Sequence, residues 1–374
     1  MIISDIKLFA LNIPFKTSFS HASKTRTCTE TLICVTKTVN HVGFGEGCPR
    51  DYVTGEDYST AKSFLLAIVG EVLKLNSLNA LKKFVKQKEK LIDRNPAAWC
   101  AIETALLDVL GKERRVSVYR LLTEANSSSC SVGDKRVIRC TAVLGIQSDK
   151  DPIKQNVVRY HRMGFVDFKI KVSGKLSQDL YVIKLVEDIV PTCKIRIDAN
   201  NLWENEQVAL DYLNRVRKHV WAVEEPLKSK SVTDYKRLHN ECGIKIILDE
   251  TFTSIRDVSK LEDFLIPNLR ISKLGGLIRT IEIARHLTKS GKNFILGCHV
   301  GETSILTACQ LIVARMYSKG LLAFEGGFSS YLLETDIASP SFEFSFGGLL
   351  KTSYFKRSGL GLEVDLQENY TKLI

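Results

Sequence analysis

The spacing of apolar residues changes from strand-like to helix-like within the first third of the chain. Residues 2–13 and 30–39 are rich in β-prone residues, which predicts strands of an antiparallel sheet. After Gly55 the apolar residues recur at steps of three and four, which predicts helices. Asn95, followed by a proline, predicts the start of one of these helices. We therefore expect residues 1–130 to form an α+β domain.

Three segments interrupt or end this predicted domain. Residues 15–26 are rich in Ser and Thr and predict a polar loop. Residues 43–47, with the sequence GFGEG, predict a turn or bulge, because neither flank has the strand-to-helix setting of a nucleotide-binding glycine loop. Residues 123–135 include three consecutive serines and predict the linker to the next domain.

The rest of the chain alternates between short apolar runs and segments with helical spacing. Eight such runs predict strands, at residues 138–144, 165–172, 195–198, 220–224, 244–249, 269–273, 294–298 and 321–325. Alternating strands and helices indicate parallel strands joined by crossover helices. Eight units close a barrel, so we expect residues 131–340 to form a (β/α)8 barrel of the TIM type. Residues 341–374 contain no further unit and are expected to return to the first domain.

Composition narrows the class of protein. The formal net charge of +11 favours anionic ligands, but the basic residues are scattered and form no nucleic-acid-binding patch. The ten cysteines include no C-x-x-C pair, so free thiols in a reducing compartment are expected. No stretch has the pattern of a signal peptide or a membrane span. These features favour a cytoplasmic enzyme with a small anionic substrate and with neither a nucleic-acid nor a membrane partner.

Charged residues stand at the C-terminal ends of the predicted barrel strands. Successive strands end at Lys171, Asp198, Glu224, Asp249 and Lys273, at intervals of 24 residues (249 to 273) to 27 residues (171 to 198). In a (β/α)8 barrel the active site is built on this face. The carboxylates of three adjacent strands form an oxygen-ligand set for a hard cation, which predicts a Mg2+ site with Mn2+ as an alternative ion.

Three lysines supply the matching cations. Lys169 and Lys171 project from the same face of one predicted strand. The alternative is an edge strand that leaves both lysines in water. If this face of the strand is buried instead, carboxylates must compensate the two ammonium groups. Lys171 and Lys273 belong to strands two and six, which face each other across an eight-stranded barrel. One lysine can then remove the proton α to a substrate carboxylate and the other can return it to the opposite face, while Lys169 and the metal hold the carboxylate.

This pattern resembles the enolase superfamily, specifically its muconate-lactonizing subgroup. The resemblance is carried by residues 169–171 (KIK), 197–200 (IDAN), 223–226 (VEEP), 248–250 (LDE) and 271–276 (ISKLGG). It covers nearly the whole chain and implies an α/β fold, a modified (β/α)8 TIM barrel with an N-terminal α+β capping domain. It also implies an isomerase, a Mg2+-dependent racemase or epimerase that forms an enolate from an amino-acid derivative or dipeptide. We expect a homo-oligomer.

The resemblance also implies a role for each candidate residue. Asp198, Glu224 and Asp249 would be the metal ligands, Lys171 and Lys273 the acid/base pair, and Lys169 the group that helps to hold the substrate carboxylate. Glu225 stands where many relatives have glutamine, which leaves open which of the two glutamates faces inward. Residues 18–26 would close over the site. Candidate substrate contacts are Ser20, Thr25, Asn200, Glu250, His299, Glu302 and Glu325.

Departures from the family pattern leave the reaction open. Strand eight ends without the Asp-x-Asp pair of typical dipeptide epimerases, and Glu325 resembles a glutamate of cycloisomerases. A cycloisomerase or syn-dehydratase that uses the same lysines is therefore the alternative. His299 resembles the second base of another subgroup, but with Lys273 in place we favour a pocket-lining or structural histidine. A non-enzymatic anion-binding barrel is less favoured, because a scaffold needs no charged residues at successive strand ends.

Overall fold

The computed structural model describes residues 2–21, 24–124, 137–147, 149–352, 356–366 and 370–374. The strands are β1 (Ile3–Leu11), β2 (Pro14–His21), β3 (Lys24–Cys28), β4 (Thr31–Thr38), β5 (Val42–Gly47), β6 (Val137–Arg139), β7 (Ala142–Leu144), β8 (Asp167–Lys171), β9 (Lys194–Asp198), β10 (Ala222–Glu224), β11 (Lys245–Leu248), β12 (Leu265–Leu269), β13 (Phe294–Leu296), β14 (Leu321–Phe324), β15 (Ala338–Ser339), β16 (Leu349–Lys351), β17 (Glu363–Val364) and β18 (Tyr370–Lys372). The helices are α1 (Asp51–Thr54), α2 (Tyr58–Val72), α3 (Leu78–Gln87), α4 (Glu89–Asp93), α5 (Pro96–Glu113), α6 (Val118–Glu124), α7 (Lys150–Arg162), α8 (Leu176–Ile189), α9 (Glu206–Val216), α10 (Val232–Cys242), α11 (Leu277–Lys289), α12 (Ser304–Met316) and α13 (Ser329–Leu332), with a 3-10 helix at Ile255–Lys260.

Eight parallel strands form the barrel, in the chain order β7 to β14. The Thr141 N–H donates to the Phe324 carbonyl at 2.7 Å and joins the two ends of the sheet. Crossover helices cover the outside, and a small apolar cluster that includes Ile247, Ile266 and Ile295 packs separately from the main core. Together with the antiparallel sheet of the N-terminal part, this arrangement confirms the predicted fold class.

All eight predicted barrel strands are present with somewhat different bounds, and two of them differ from the prediction by four residues at an end. The sixth strand is Leu265–Leu269, so the prediction of 269–273 was wrong. The backbone turns after Leu269, where the Leu274 N–H donates to the Arg270 carbonyl at 3.0 Å. The first predicted run, 138–144, divides into β6, which pairs with β16, and the barrel strand β7. The apolar runs in the sequence do not by themselves distinguish strand from turn at these two places.

The N-terminal sheet has the strand order β18-β1-β4-β5. The glycine-rich run 43–47 belongs to strand β5, so the prediction of a turn or bulge was wrong. A side chain at Gly45 or Gly47 would collide with the backbone of α5, and the glycines therefore let the helix lie directly on the strand. The chain end returns to this sheet, because Thr371 of β18 pairs with Ala10 of β1.

The segment predicted as a polar loop after β1 is a hairpin of β2 and β3. Phe19 pairs with Arg26 in this hairpin, and Arg26 is buried although its neighbours Thr25 and Thr27 are exposed. The predicted linker, 123–135, falls almost entirely outside the described residues, and its first two residues end α6. None of the described helices is both long and apolar enough to span a membrane.

Helix α5 begins at the predicted Asn95-Pro96 pair, but another residue caps it. The Asn95 side chain makes no capping hydrogen bond, whereas the Glu56 carboxylate accepts from the backbone N–H groups of Ala97 and Ala98, both at 2.9 Å. The first N–H groups of a helix have no partner within the helix, and a carboxylate there also interacts favourably with the helix dipole. A residue some 40 positions away in the chain therefore satisfies this helix start.

Two further buried carboxylates of the N-terminal part bind helix starts of the barrel. Glu46 accepts from the Thr303 N–H at 2.9 Å, at the N-cap of α12. Glu103 on α5 accepts from the Ile278 N–H at 2.9 Å, in the first turn of α11. Burial raises the pKa of both carboxyl groups to about 7. These contacts fasten the sheet and α5 to the barrel beside its C-terminal face.

The raised pKa of Glu103 predicts a pH-dependent stability. Between its ordinary pKa of 4.5 and about 7, the folded protein holds a proton that the unfolded chain has lost, so the free energy of unfolding falls as pH rises through this window. In Glu103→Gln we expect this decrease, measured by urea unfolding at pH 5 and pH 8, to be smaller by up to about 3 kcal/mol. The surface substitution Glu71→Gln is the control. Parallel pH profiles of wild type and Glu103→Gln would contradict the prediction.

Candidate active site

Lys169 is the centre of a buried ion-pair network at the C-terminal ends of the barrel strands. Its Nζ lies 2.8 Å from Glu224 Oε1, 3.0 Å from Asp198 Oδ2 and 3.3 Å from Glu325 Oε2. The Lys169 side chain is only 3% exposed, so the alternative of an edge strand with both lysines in water does not hold. Burial disfavours its charge, but Asp198 and Glu224 outweigh this effect and raise the pKa of Lys169. Lys169 is therefore a permanent cation.

Lys171 lies one pleat further towards the end of the same strand. Its Nζ donates to Asp198 Oδ2 and to Asn200 Oδ1, both at 2.7 Å. Asn200 adopts a left-handed backbone conformation, with φ of 46°, which asparagine tolerates better than most residues. Burial opposes ionisation of Asp198, but Lys169 and Lys171 hold its pKa below the ordinary value. Lys171 lines the central cavity and can reach a ligand there.

Glu224 faces into the network, whereas Glu225 does not. Glu225 has a φ of 40° and turns its carboxylate towards the following strand. There it accepts from the backbone N–H groups of Asp249 and Thr251, both at 2.7 Å, and from the Tyr235 hydroxyl at 2.9 Å. The question that the paired glutamates left open is thus answered by their hydrogen bonds. Glu225 supports the backbone that carries Asp249.

Lys273 approaches the site from the turn after β12. Its Nζ lies 2.9 Å from Asp249 Oδ1 and 3.1 Å from the Asn268 carbonyl. Burial, together with the nearby Arg270 guanidinium, lowers the pKa of Lys273 to about 7. The two buried lysines therefore differ in chemistry, because Lys169 stays charged while Lys273 can exchange a proton near neutral pH.

Two arginines complete the network and were missed by the sequence analysis. Arg196 on β9 is fully buried and donates to Asp167 Oδ1 and to Glu325 Oε1, both at 2.7 Å. Burial opposes ionisation of Glu325, but Lys169 and Arg196 lower its pKa to about 2. Arg270 is ion-paired with Asp249. Arg196 could have been found from its alternation with Asp198, and Arg270 from a correct end of β12.

The three predicted metal ligands fit a hard divalent cation by donor chemistry and burial. Asp198, Glu224 and Asp249 are each at most 1% exposed. Their oxygens do not converge on one point, because Lys169 is ion-paired with Asp198 and Arg270 is ion-paired with Asp249. However, Glu224 Oε2 is buried without a hydrogen-bond partner among the described residues. Burial and the neighbouring Asp198 raise the pKa of Glu224, as expected where negative charge exceeds its compensation.

A fourth carboxylate lies beside this set. Glu250 follows Asp249 in the chain, and its Oε2 is also buried without a partner in the described residues. Burial, with the charges of Glu225 and Asp198, raises the pKa of Glu250 to about 7. Two unpartnered carboxylate oxygens in one polar region are the feature that a bound divalent cation would satisfy.

A cavity of about 450 Å3 opens onto this network. Among the predicted substrate contacts, it is lined by Asn200, Glu250, His299, Glu302 and Glu325. Thr25 does not line it and is exposed on the hairpin, and the side chain of Ser20 lies outside the described part of the structure. The hairpin instead contributes residues 16–19, and the other walls include Arg159, Tyr160, Phe328 and Tyr331. Sequence reasoning missed this wall because it comes from β2, α7 and α13, which are far apart in the chain.

His299 and Glu302 form a hydrogen-bonded pair in the loop after β13. The backbone N–H of His299 donates to Glu302 Oε1 at 2.7 Å, and the ring atom Nδ1 of His299 lies 3.3 Å from the same oxygen. Burial raises the pKa of Glu302 to about 8. Burial, with the positive charge of Arg270, lowers the pKa of His299 well below its ordinary value. The histidine is therefore neutral, which agrees with a role in the wall of the cavity.

The fold and site correspond to a known family. Residues 153–369 match the family described as enolase C-terminal domain-like, and because this match covers more than half of the chain, the protein belongs to that family. The relatives that it resembles place it with the muconate-lactonizing subgroup.

Several characterised proteins are similar to the chain. A hydrophobic dipeptide epimerase of Enterococcus faecalis is 27% identical over 324 residues, which cover 84% of this chain and 87% of the relative. An N-succinyl-L-Arg/Lys racemase of Bacillus cereus is 24% identical over 375 residues, covering 98% and 96%. An o-succinylbenzoate synthase of Listeria innocua is 25% identical over 378 residues, covering 96% and 92%.

Solved structures support the same fold. The crystal structure of the N-succinyl Arg/Lys racemase from Bacillus cereus superposes with a TM-score of 0.85 at 23% identity, covering 99% of this chain and 98% of that one. A dipeptide epimerase from Enterococcus faecalis, complexed with Mg and L-Leu-L-Tyr, has a TM-score of 0.84 at 24% identity, covering 97% and 100%.

The buried position of Arg196 predicts a large effect on stability. Arg196→Met leaves Asp167 without its ion-pair partner and Glu325 with Lys169 alone, and removal of one partner from a buried ion pair costs about 3–5 kcal/mol. We expect that loss in the free energy of unfolding measured with guanidinium chloride. Lys260→Met is the control, because the Lys260 side chain is 69% exposed and its pair with Asp257 contributes less than about 1 kcal/mol. Equal, small losses in both variants would refute the inferred role of Arg196.

Proposed function

We propose that this protein is a Mg2+-dependent racemase or epimerase that acts on the carbon α to the carboxylate of an amino-acid derivative. The observation that carries the proposal is the placement of two lysines on either side of a buried carboxylate cluster. Lys171 ends β8 and Lys273 follows β12, and these strands are four positions apart in the eight-stranded order. Such strands face each other across a closed barrel, so the two amines approach a substrate from opposite sides.

Lys169 supplies a fixed positive charge for the substrate carboxylate. Its charge is held by Asp198, Glu224 and Glu325, so it does not compete for the proton that is transferred. Asp198, Glu224 and Asp249 would hold the Mg2+, with Glu250 beside them. The bound ion would supply electrostatic stabilisation of the negative charge that develops on the carboxylate when the α-proton leaves.

Lys273 and Lys171 would transfer the proton. A lysine with a pKa near 7 is partly neutral at neutral pH and can act as a general base. Lys171 is held by Asp198 and Asn200 in an orientation that reaches the cavity, and its ammonium group would donate a proton of its own to the other face of the α-carbon. In the reverse direction the two lysines exchange these roles, as microscopic reversibility requires.

The cavity favours a substrate whose amino group is acylated. Its carboxylates lie in or beside the ion-pair network: Glu302 and Glu325 are buried, and Glu250 is half-buried with its Oε2 covered. In the outer part of the described lining, the charged side chains are Lys16 and Arg159, and no carboxylate is available there to receive a free ammonium group. An N-acyl amino acid therefore fits better than a free amino acid or a dipeptide, because both of these carry a free ammonium group.

A cycloisomerase or syn-dehydratase is the second candidate, because Glu325 is present and an o-succinylbenzoate synthase is among the relatives. Product analysis separates the candidates, since loss of water changes the mass, ring closure changes the connectivity, and epimerisation changes neither.

We further propose the predicted division into residues 1–130, 131–340 and 341–374, a cytoplasmic setting and a homo-oligomeric state. The free thiols of the described cysteines are in keeping with a reducing compartment.

Exchange of the α-proton in heavy water tests the proposed reaction. With Mg2+ and a panel of N-acyl amino acids and dipeptides, we expect the wild type to incorporate deuterium at the α-position of both stereoisomers, measured by mass spectrometry. Lys171→Ala should abolish exchange from one stereoisomer and Lys273→Ala from the other, because each lysine serves one face. Lys175→Ala, an exposed lysine in the loop after β8, is the control. Full exchange from both stereoisomers in both variants would exclude the mechanism.

The pH dependence of exchange tests the role of Lys273. In the direction in which Lys273 accepts the proton, it must first be neutral, so the exchange rate should rise with pH and level off above about 7. The same rise should be absent in Lys273→Ala. A rate that falls as pH increases from 6 to 8 would contradict the assignment of Lys273 as a base.

A further inference from the structure

A second cluster of potential metal ligands lies where the N-terminal sheet meets the barrel. Cys48 follows β5, and His299 and Glu302 belong to the loop between β13 and α12. All three are buried, and their ligand atoms lie within 4.8 Å of one another. In the part of the chain that the structure describes, no other three Cys, His, Asp or Glu residues satisfy this distance.

The donor set has the chemistry of a zinc site. Thiolate, imidazole and carboxylate are the ligands that Zn2+ takes in proteins, whereas Mg2+ prefers oxygen ligands. Zn–N and Zn–O bonds of about 2.0–2.1 Å at a tetrahedral angle place the two ligand atoms about 3.3 Å apart. The separation between His299 Nδ1 and Glu302 Oε1 is 3.3 Å. The pair is thus already at the spacing of two zinc ligands.

Hydrogen bonds orient Cys48 and Glu302. The Cys48 N–H donates to Ser272 Oγ at 2.8 Å, which fixes the backbone that carries the thiol. The Gln310 side chain donates from Nε2 to Glu302 Oε2 at 2.9 Å and orients the carboxylate. Partners of this kind, which hold the ligands rather than the ion, are a regular feature of metal sites.

His299 has unused bonding capacity. It is 3% exposed, and its Nε2 has no hydrogen-bond partner within the described structure. A buried polar atom without a partner is costly, so the protein alone does not satisfy the hydrogen-bonding capacity of this ring. The ring can therefore offer to an ion either Nδ1, which lies at the spacing of a zinc ligand from Glu302, or the unpartnered Nε2.

The neighbouring arginines do not occupy the cluster. The guanidinium of Arg50 donates to the carbonyls of Pro49, Thr29 and Val300, at 2.8, 3.1 and 3.1 Å. Arg270 is ion-paired with Asp249. The cluster itself therefore has two groups that become anionic on metal binding, the Cys48 thiol and the Glu302 carboxyl, and their charge balances one divalent cation.

We propose that Cys48, His299 and Glu302 form a second metal site, for a thiophilic divalent cation such as Zn2+, separate from the Mg2+ site. His299 and Glu302 line the central cavity, so the fourth coordination position is open towards it. An ion there joins the N-terminal part to the barrel through three side chains and narrows the cavity. It therefore stabilises the folded protein and weakens substrate binding.

The test uses Co2+ as a spectroscopic probe on the full-length protein in saturating Mg2+. We expect one equivalent of Co2+ to produce a thiolate-to-metal charge-transfer band, which an oxygen-ligated site cannot produce, and Zn2+ to remove the band by competition. The band should be lost in Cys48→Ser and retained in Cys298→Ser, a matched cysteine beside His299 that donates to the Glu325 carbonyl. Loss in Cys298→Ser alone, or a band that persists in Cys48→Ser, overturns the proposal.

Two further measurements keep the proposal testable if the cysteine variants fail to fold. X-ray absorption of the wild type with one equivalent of Zn2+ should show one sulfur at about 2.3 Å with nitrogen and oxygen ligands. A shell without sulfur overturns the proposal. Gln310→Leu keeps all three ligands and should bind Zn2+ about 10–100-fold more weakly, because it removes a group that orients Glu302. None of these readouts depends on turnover, so they are unaffected if the racemase proposal fails.

Discussion

The burial of Lys169 among Asp198, Glu224 and Glu325 is the interaction on which the rest of the site depends. A buried ammonium is tolerated only with closely placed carboxylates, and the barrel supplies them from three other strands. Arg196 then neutralises the remaining oxygen of Glu325. Each strand end is therefore held in place by charges on neighbouring strands. Removal of one of these charged side chains leaves its partner buried with less compensating charge.

The same arrangement separates the properties of the lysines. Lys169 is surrounded by carboxylates and keeps its charge, whereas Lys273 lies near the Arg270 guanidinium and has a pKa near 7. A site that stabilises an anion and also moves a proton needs both kinds of amine. The difference arises from the groups around each side chain, since the residue type is the same.

The N-terminal part completes the cavity and is fastened to the barrel by buried polar contacts. Glu46 and Glu103 bind the starts of α12 and α11, and Arg50 donates to carbonyls on both sides of the junction. The loop with His299 and Glu302 begins at the same junction, directly before α12. Contacts that hold the two parts together thus also position one wall of the cavity.

The sequence by itself determined the barrel class and most of the charged strand ends, because a parallel barrel brings the carboxyl ends of all its strands to one face. It did not determine that Glu224 rather than Glu225 faces inward, since backbone torsion and hydrogen bonds to Thr251 decide this. It also missed Arg196, whose partners come from other strands. Contacts between residues far apart in the chain, such as Cys48 with Ser272, depend on packing that no local pattern records, and only the tertiary structure decided them.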